Sequence, residues 1–345
     1  MLQPVKTRTS LSGKIPRAVH VSTHLTWKDK AAAAALRSGI GRNKASIKSG
    51  LYYAGNPGKD SPVLVTSNYR LTFDAVRKEL GGLDVWILVI DTGGINVWCA
   101  AGKGSFSASA VIKEIKSSRL SFFAPEGILI LPQLSASGVN ITVIRRETSF
   151  KAVFGPVYAR DLKEFIEGGM KKNRKMKKVT FTLKERAVLI PVELVHAWKI
   201  IAIFIPVSFM TALPFDGVFL HRFIPMLIFL EISVINGAVL TPLLLPYIPG
   251  RFFSVKGLLV NLLWAVLFYL ANISVVKNAV LSCISLVLLG TAAASYTAMN
   301  FTGCSTFTNQ KGTELEVKRS FPLQITSAAA GLLTAVIHGI SIIAV

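Results

Sequence analysis

Beyond residue 195 the chain carries five apolar runs, at about 197–214, 222–246, 257–275, 278–300 and 323–345. Several approach the roughly 20 residues that a helix needs to cross a bilayer. Charge divides the chain at the same place. The first 199 residues hold 32 Lys and Arg against 14 Asp and Glu, and the remaining 146 hold 7 against 4. This is the pattern of a water-facing domain followed by a membrane domain.

Basic residues cluster just before the first run, in "KKNRKMKK" (171–178), where the positive-inside rule places a cytoplasmic flank. The same rule tests the loops. Arg251 and Lys256 follow the second run, and Lys311, Lys318 and Arg319 follow the fourth, whereas the opposite loops hold only Arg222 and Lys277. Five spans of the inner (cytoplasmic) membrane are expected, with the front domain in the cytoplasm and the C-terminus on the opposite side. The basic residues are not interleaved with aromatics on one face, so membrane lipid is the expected partner and nucleic acid is not. Three cysteines, Cys99, Cys283 and Cys304, make no disulfide framework and suit a reducing compartment. The first 20 residues lack an apolar core, so no cleaved signal peptide is expected. Pro206, Pro225 and Pro242 imply kinks within the spans. Glu231, Asn236 and His338 lie in spans too, and a bundle-holding Glu231–His338 or Glu231–Asn contact is the preferred reading over ion transport.

Four regions follow: a basic leader (1–50), an α/β domain (51–170), a basic linker (171–196) and five transmembrane helices (197–345). In the leader, "AAAAALRSG" (31–39) reads as a short helix stopped at Gly39. In the α/β domain, "SPVLVTSNY" (61–69), "LTFDAVRKELGG" (71–82) and "DVWILVID" (84–91) read as strand, helix and strand, the last buried on both faces. A helix is expected at 107–118, strands at 127–134 and 140–146, and a closing helix at 159–170. The fold expected is Rossmann-like, with polar residues gathered after the carboxyl ends of its strands, where open parallel sheets bind ligands.

One stretch there, "INVWCAAGKGSF" (95–106), holds the first cysteine of the chain. It is no phosphate loop, because Val97 stands where the first glycine is needed and Gly104 follows Lys103. It lacks the third glycine of a dinucleotide fingerprint and the second thiol of a redox pair. A cysteine in the first turn of a helix meets free N–H groups and the positive end of the helix dipole. Ala100, Ala101 and Gly102 would let that helix approach a broad planar ligand, with Trp98 along its edge, and a soft donor suits a metal macrocycle. A buried, inert cysteine beside a small-residue helix contact explains the same spacing.

"NVWCAAGKG" (96–104) resembles the cap-helix motif of the corrinoid protein of anaerobic mercury methylation, the HgcA family. It is also similar to the corrinoid domain of the large subunit of the corrinoid iron–sulfur protein of acetyl-CoA synthesis. "GLYYAGNPGKDSPVLVTSNYRLTFDAVR", "LILPQLSASGV", "FGPVYARDL", "LPYIPGRFFSVKG" and "MNFTGCSTFT" look like further segments of the mercury-methylation family, in family order, membrane part included. After Lys103 the chain departs from the pattern: Gly104-Ser105-Phe106-Ser107-Ala108 stands where Gly-Thr-Phe-Gly-Thr is expected.

The resemblance implies a corrinoid-dependent methyltransferase with cobalamin as cofactor and Cys99 as the thiolate below cobalt. Asn96, Val97, Trp98, Ala100, Ala101, Gly102 and Lys103 would form the cap helix. Thr66, Ser67, Asn68, Asp91, Thr92, Gln133 and Leu134 would bind the corrin side chains or the nucleotide tail. Gly138, Gly155 and Pro156 would let backbone approach the ligand. The implied reaction moves a methyl group from methylcob(III)alamin to inorganic Hg(II), giving methylmercury. A methylated folate-dependent donor system would supply the methyl group, and a ferredoxin-like iron–sulfur partner the electrons. Cys304 is an incidental cysteine or a mercury relay. Two other readings stand beside this one: a membrane-bound corrinoid methyl carrier for acetyl-CoA synthesis or another metal or metalloid, and a transporter with a regulatory cytoplasmic domain.

Overall fold

The computed structural model describes residues 17–42, 45–212, 219–272, 280–305 and 307–343, without the side chains of Cys304, Gln310, Ile342 and Ile343. The chain divides into two compact units: residues up to Leu36 and from Ile40 to Thr180 form the first, and Arg37–Gly39 group with the residues from Phe181 onward in the second.

The first unit is built on a six-stranded mixed sheet. Its strands are β1 (Val19–His20), β2 (Gly50–Ala54), β3 (Val63–Ser67), β4 (Val85–Ile90), β5 (Leu129–Leu131) and β6 (Ala152–Phe154), in the order β1-β2-β4-β3-β5-β6. Strands β4, β3, β5 and β6 are parallel, while β2 runs antiparallel to β4. Every residue of β3 and β4 is buried, because side chains leave the two faces alternately and both faces are covered. Trp86, Leu88 and Ile90 join one core with helices α4 (Ala108–Ser117) and α6 (Ile141–Glu147). Val85, Ile87 and Val89 join the other, with α2 (Arg70–Arg77) and α7 (Leu162–Glu167). Two short helices, α3 (Val97–Gly102) and α5 (Leu120–Phe123), complete the first face.

The expected strand at 140–146 is instead helix α6. Asn140 accepts the Thr142 N–H at 2.9 Å and so starts a helix. Ile144 is buried against α4 while Arg145 and Arg146 close the last turn, and this capped amphipathic turn overrides the β-branched composition. Strand β1 and helix α1 (Trp27–Arg37) fall within the stretch read as a leader. Asp29 on α1 pairs with Arg70 and Arg77 of α2 at 2.5 and 2.9 Å, and Asp74 pairs with the same two arginines. Burial pushes the Asp29 carboxyl up, but the Thr26 N–H and Arg77 outweigh it and hold the group at about 2, below its ordinary 3.8. A carboxylate depressed on folding stabilises above its ordinary value, and the effect disappears as pH falls through the folded value. Asp29→Asn is expected to cost about 1–2 kcal/mol near neutrality. The gap from wild type closes as the pH is lowered from 4 towards 2, measured by urea unfolding of the first unit's near-ultraviolet signal.

The second unit is helical: α8 (Leu183–Ala187), α9 (Ile190–Ala212), α10 (Phe219–Ile235), α11 (Thr241–Leu244), α12 (Phe253–Ala271), α13 (Val280–Asn300) and α14 (Gln310–Ile343). Five stretches are long and apolar enough to cross a membrane: Leu183–Ala212, Phe219–Leu244, Phe253–Ala271, Val280–Gly303 and Lys311–Ser341. The first and last begin about a dozen residues earlier than the apolar runs, because polar turns extend them. Lys256, counted above as a loop charge, therefore lies in α12, and Lys311, Lys318 and Arg319 lie on α14. Pro206 and Pro225 sit inside α9 and α10, Pro242 opens α11, and Pro322 lies inside α14. The expected Glu231–His338 or Glu231–Asn contact does not form among the described residues. Asn236 opens a π-helical turn (Asn236–Leu240) and donates to Asn261 Oδ1 at 3.2 Å instead.

Candidate functional site

Strand order places a site before any side chain is considered. The chain leaves β3 through α2 towards β4 on one side, and leaves β5 through α6 towards β6 on the other. The carboxyl ends of β3 and β5 are thus a switch point, where diverging connections leave a crevice. A cleft of about 340 Å³ opens there, near the lower end of the range for ligand pockets, about 300–1,000 Å³. Its walls include Thr66 on β3, Val97 on α3, Pro132 and Leu134 after β5, and Gly155 and Pro156 after β6. Leu71, Thr72, Ala75 and Val76 of α2, and Val157, Tyr158, Ala159 and Leu162 beyond β6, line it as well. Sequence reading missed these eight because an amphipathic helix and a Pro-containing turn look like ordinary core and loop.

Asn68 organises the rim. Its Oδ1 accepts the Thr92 and Gly94 N–H groups at 3.0 and 3.1 Å, and its amide donates to Asp91 Oδ1 at 2.9 Å. Asp91 in turn accepts the Gly93 N–H at 3.0 Å, and the Thr92 hydroxyl reaches Ile95 O at 2.7 Å. Gly93 and Gly94 have φ of 68° and 73°, the left-handed region that glycine tolerates without penalty. Asn68, Asp91 and Thr92 are not among the residues that line the cleft. They fasten β3 to the loop that delivers α3. Asn68→Ala leaves the buried Thr92 and Gly94 donors unmatched and is expected to cost about 2–3 kcal/mol. Faster protease cleavage at residues 91–96, read by mass spectrometry, checks this.

Helix α3 starts where Asn96 Oδ1 accepts the Cys99 N–H at 2.9 Å. Val97, Ala100 and Ala101 pack inward, leaving Trp98 and Cys99 half-buried and Gly102 and Lys103 exposed. A Cβ at Gly138 would fall 2.6 Å from Ala101 O and 2.9 Å from Ala101 Cα, so the 136–139 turn packs against α3 backbone to backbone. A Cβ at Gly155 would fall 2.7 Å from Ile130 Cγ2. Gln133 accepts a hydrogen bond from Lys172, whose ammonium is destabilised by burial and by Lys177. Where the chain departs from the resembled motif, Ser107 caps α4 by accepting the Ala110 N–H, and Phe106 is fully buried.

Two observations bear on a bound group. The hydroxyls of Thr66 and Ser67 are buried with no hydrogen-bond partner, and Thr66 lines the cleft. Buried polar atoms are normally satisfied, so these ask for a ligand or water. Among the described residues, no three His, Cys, Asp or Glu side chains gather to hold a metal.

The family model of the CO dehydrogenase/acetyl-CoA synthase delta subunit (CdhD) matches residues 40–165. The acetyl-CoA decarbonylase/synthase complex subunit gamma of Methanopyrus kandleri is 32% identical over 128 residues, 36% of this chain and 27% of that protein. The subunit gamma of Archaeoglobus fulgidus is 31% identical over the same shares, and that of Methanocaldococcus jannaschii 36% identical over 98 residues, 28% of this chain and 20% of its own. The chain thus spans about a quarter of these relatives or less. The matched residues end before the first long helix begins at Leu183.

Proposed function

We propose that the chain is a membrane-anchored corrinoid protein that transfers methyl groups, in which the first unit would hold the cofactor in a Rossmann-like manner and the Cys99 thiolate would bind its cobalt. The observation that carries this reading is the Asn96-capped helix, which borders the switch-point cleft through Val97 and carries a half-buried thiol in its first turn. The likeness to the CO dehydrogenase/acetyl-CoA synthase delta subunit and to acetyl-CoA decarbonylase/synthase gamma subunits supports it. A bound corrinoid supplies a cobalt centre on which a methyl group is accepted and given up.

The chain's own residues prepare that chemistry. Asn96 fixes the first turn of α3 and so the direction of the Cys99 side chain. Ala100 and Ala101 keep the helix close to the sheet, and Gly138 supports it from behind. Thr66 and Ser67, whose buried hydroxyls lack partners, would offer them to polar groups of the cofactor, the apolar cleft beside Thr66 would exclude water, and Gln133, held by Lys172, would add a polar contact. Trp98 and Lys103 border the exposed face that the ring would cover.

For the acceptor we take inorganic mercuric ion, because the motifs that resemble the mercury-methylation family continue into the helical unit. A methyl carrier for acetyl-CoA synthesis is the second reading, favoured by the relatives' assignment to acetyl-CoA complexes. Incubating the full chain, loaded with methylated cobalamin and an iron–sulfur reductant, with Hg(II)–thiol complexes separates them. Methylmercury formed at up to one equivalent per loaded methyl group, and faster than from free methylcobalamin, supports the first reading; none, with methyl delivered to an acetyl-CoA synthase preparation, supports the second.

A further inference from the structure

At one end of the helical unit, where α11 finishes and α12 and α14 begin, lies a cavity of about 860 Å³ lined by Arg251, Lys256, Arg319, Phe252, Phe253 and Phe307. Lys256 is 9% exposed, and its ammonium donates to Leu245 O at 2.7 Å and Ile248 O at 2.6 Å. Two carbonyl oxygens satisfy donors but supply no counter-charge. None of the three cations forms an ion pair with a carboxylate among the described residues. Glu316 is committed elsewhere, accepting the Ser254 N–H at 2.7 Å. Burying an ammonium without an opposite charge is unfavourable, and an anion entering the cavity would relieve it.

From this geometry we infer an anion site that takes a phosphate group. Two guanidinium groups provide forked donors that match phosphate oxygens, and the Lys256 ammonium adds a compact charge. The three phenylalanines give the cavity an apolar side, which an inorganic ion does not need and a lipid's glycerol region does. If the long helices span a membrane, the starts of α12 and α14 lie on the side that carries most loop-end cations, at headgroup depth. Basic pockets between helices at that depth suit anionic phospholipids. The lipid half of this inference rests on the membrane reading in the preceding section. Release of the chain from membranes by alkaline carbonate would sink that reading and leave the phosphate site to be judged separately.

The test uses the full chain in detergent, titrated with phosphatidylglycerol or with phosphatidylcholine, whose choline cancels the phosphate charge, and read by native mass spectrometry. Wild type is expected to bind phosphatidylglycerol tighter by about thirtyfold, each of two guanidinium contacts near a surface contributing about fivefold. The double variant Arg251→Gln/Arg319→Gln, which alters exposed side chains and spares the buried Lys256, should lose the preference. Lys311→Gln/Lys318→Gln, which removes equal charge from the same region but outside the cavity, should keep it. Displacement of the lipid by millimolar inorganic phosphate would show that the site is also open to soluble phosphate; no displacement assigns it to headgroups. Equal binding of the two lipids, or equal loss in both double variants, would overturn the site in favour of diffuse charge.

Discussion

Cys99→Ala is expected to lower methyl transfer by the full chain about 100-fold or more, at least the upper range for disturbing a partner of a metal ligand, while leaving the protein folded. The separation of the two effects follows from the local packing. Inward contacts of α3 come from Val97, Ala100 and Ala101, and the hydrogen bond that starts the helix uses the Cys99 backbone N–H, which alanine retains. Removing a half-buried sulfur therefore changes unfolding by no more than about 0.5 kcal/mol. Single-turnover transfer, run beside a thermal melt of each variant, checks both halves. A variant that melts early has lost activity through its fold, and one that transfers at the wild-type rate shows that the thiolate is not the ligand.

The second large effect is expected at Gly138. Any side chain here meets the Ala101 backbone, with Cβ 2.6 Å from its carbonyl oxygen, and backbone cannot swing aside as a side-chain end can. Gly138→Ala should cost about 1–3 kcal/mol by overpacking, and Gly138→Val more. Because the turn presses on α3 rather than on the central strands, the displacement moves Cys99. The expected signature is loss of bound corrinoid in Gly138→Ala at temperatures where the amides of β3 and β4 are still protected from hydrogen exchange. Ser105→Ala serves as the comparison, since its hydroxyl makes only a 3.4 Å contact to Ala100 O and its loss should change neither property.

Particular residues explain what could be read in advance. The continuous apolar run of β4 announces a strand covered on both faces, and the structure divides its side chains evenly between two cores. The β3–α2–β4 unit was legible for the same reason, its signals lying within a few residues of one another, whereas the helix from Asn96 was expected from the resemblance. Strand β2 was not, because "GLYYA" alternates weakly and its antiparallel place depends on pairing with β4, more than 30 residues away. At 140–146 the β-branched residues pointed to a strand, and a single capping asparagine decided otherwise. Asn68 was singled out as a ligand-facing residue, but its acceptors and donors come from 91–94, a contact that no spacing rule reveals. The α2 wall of the cleft was hidden in the same way, since a residue lining a crevice and a residue packed on a sheet occupy the same helical stripe.

The central claim, a corrinoid held with Cys99 as its lower ligand, is tested most directly by the visible absorption spectrum of the purified full chain reconstituted with cobalamin, beside Cys99→Ala and Cys99→His. A bound corrinoid with thiolate-ligated bands in wild type, lost in Cys99→Ala and replaced by imidazole-type bands in Cys99→His, is the expected result. A chain that binds no corrinoid, or whose spectrum is unchanged by Cys99→Ala, would contradict it.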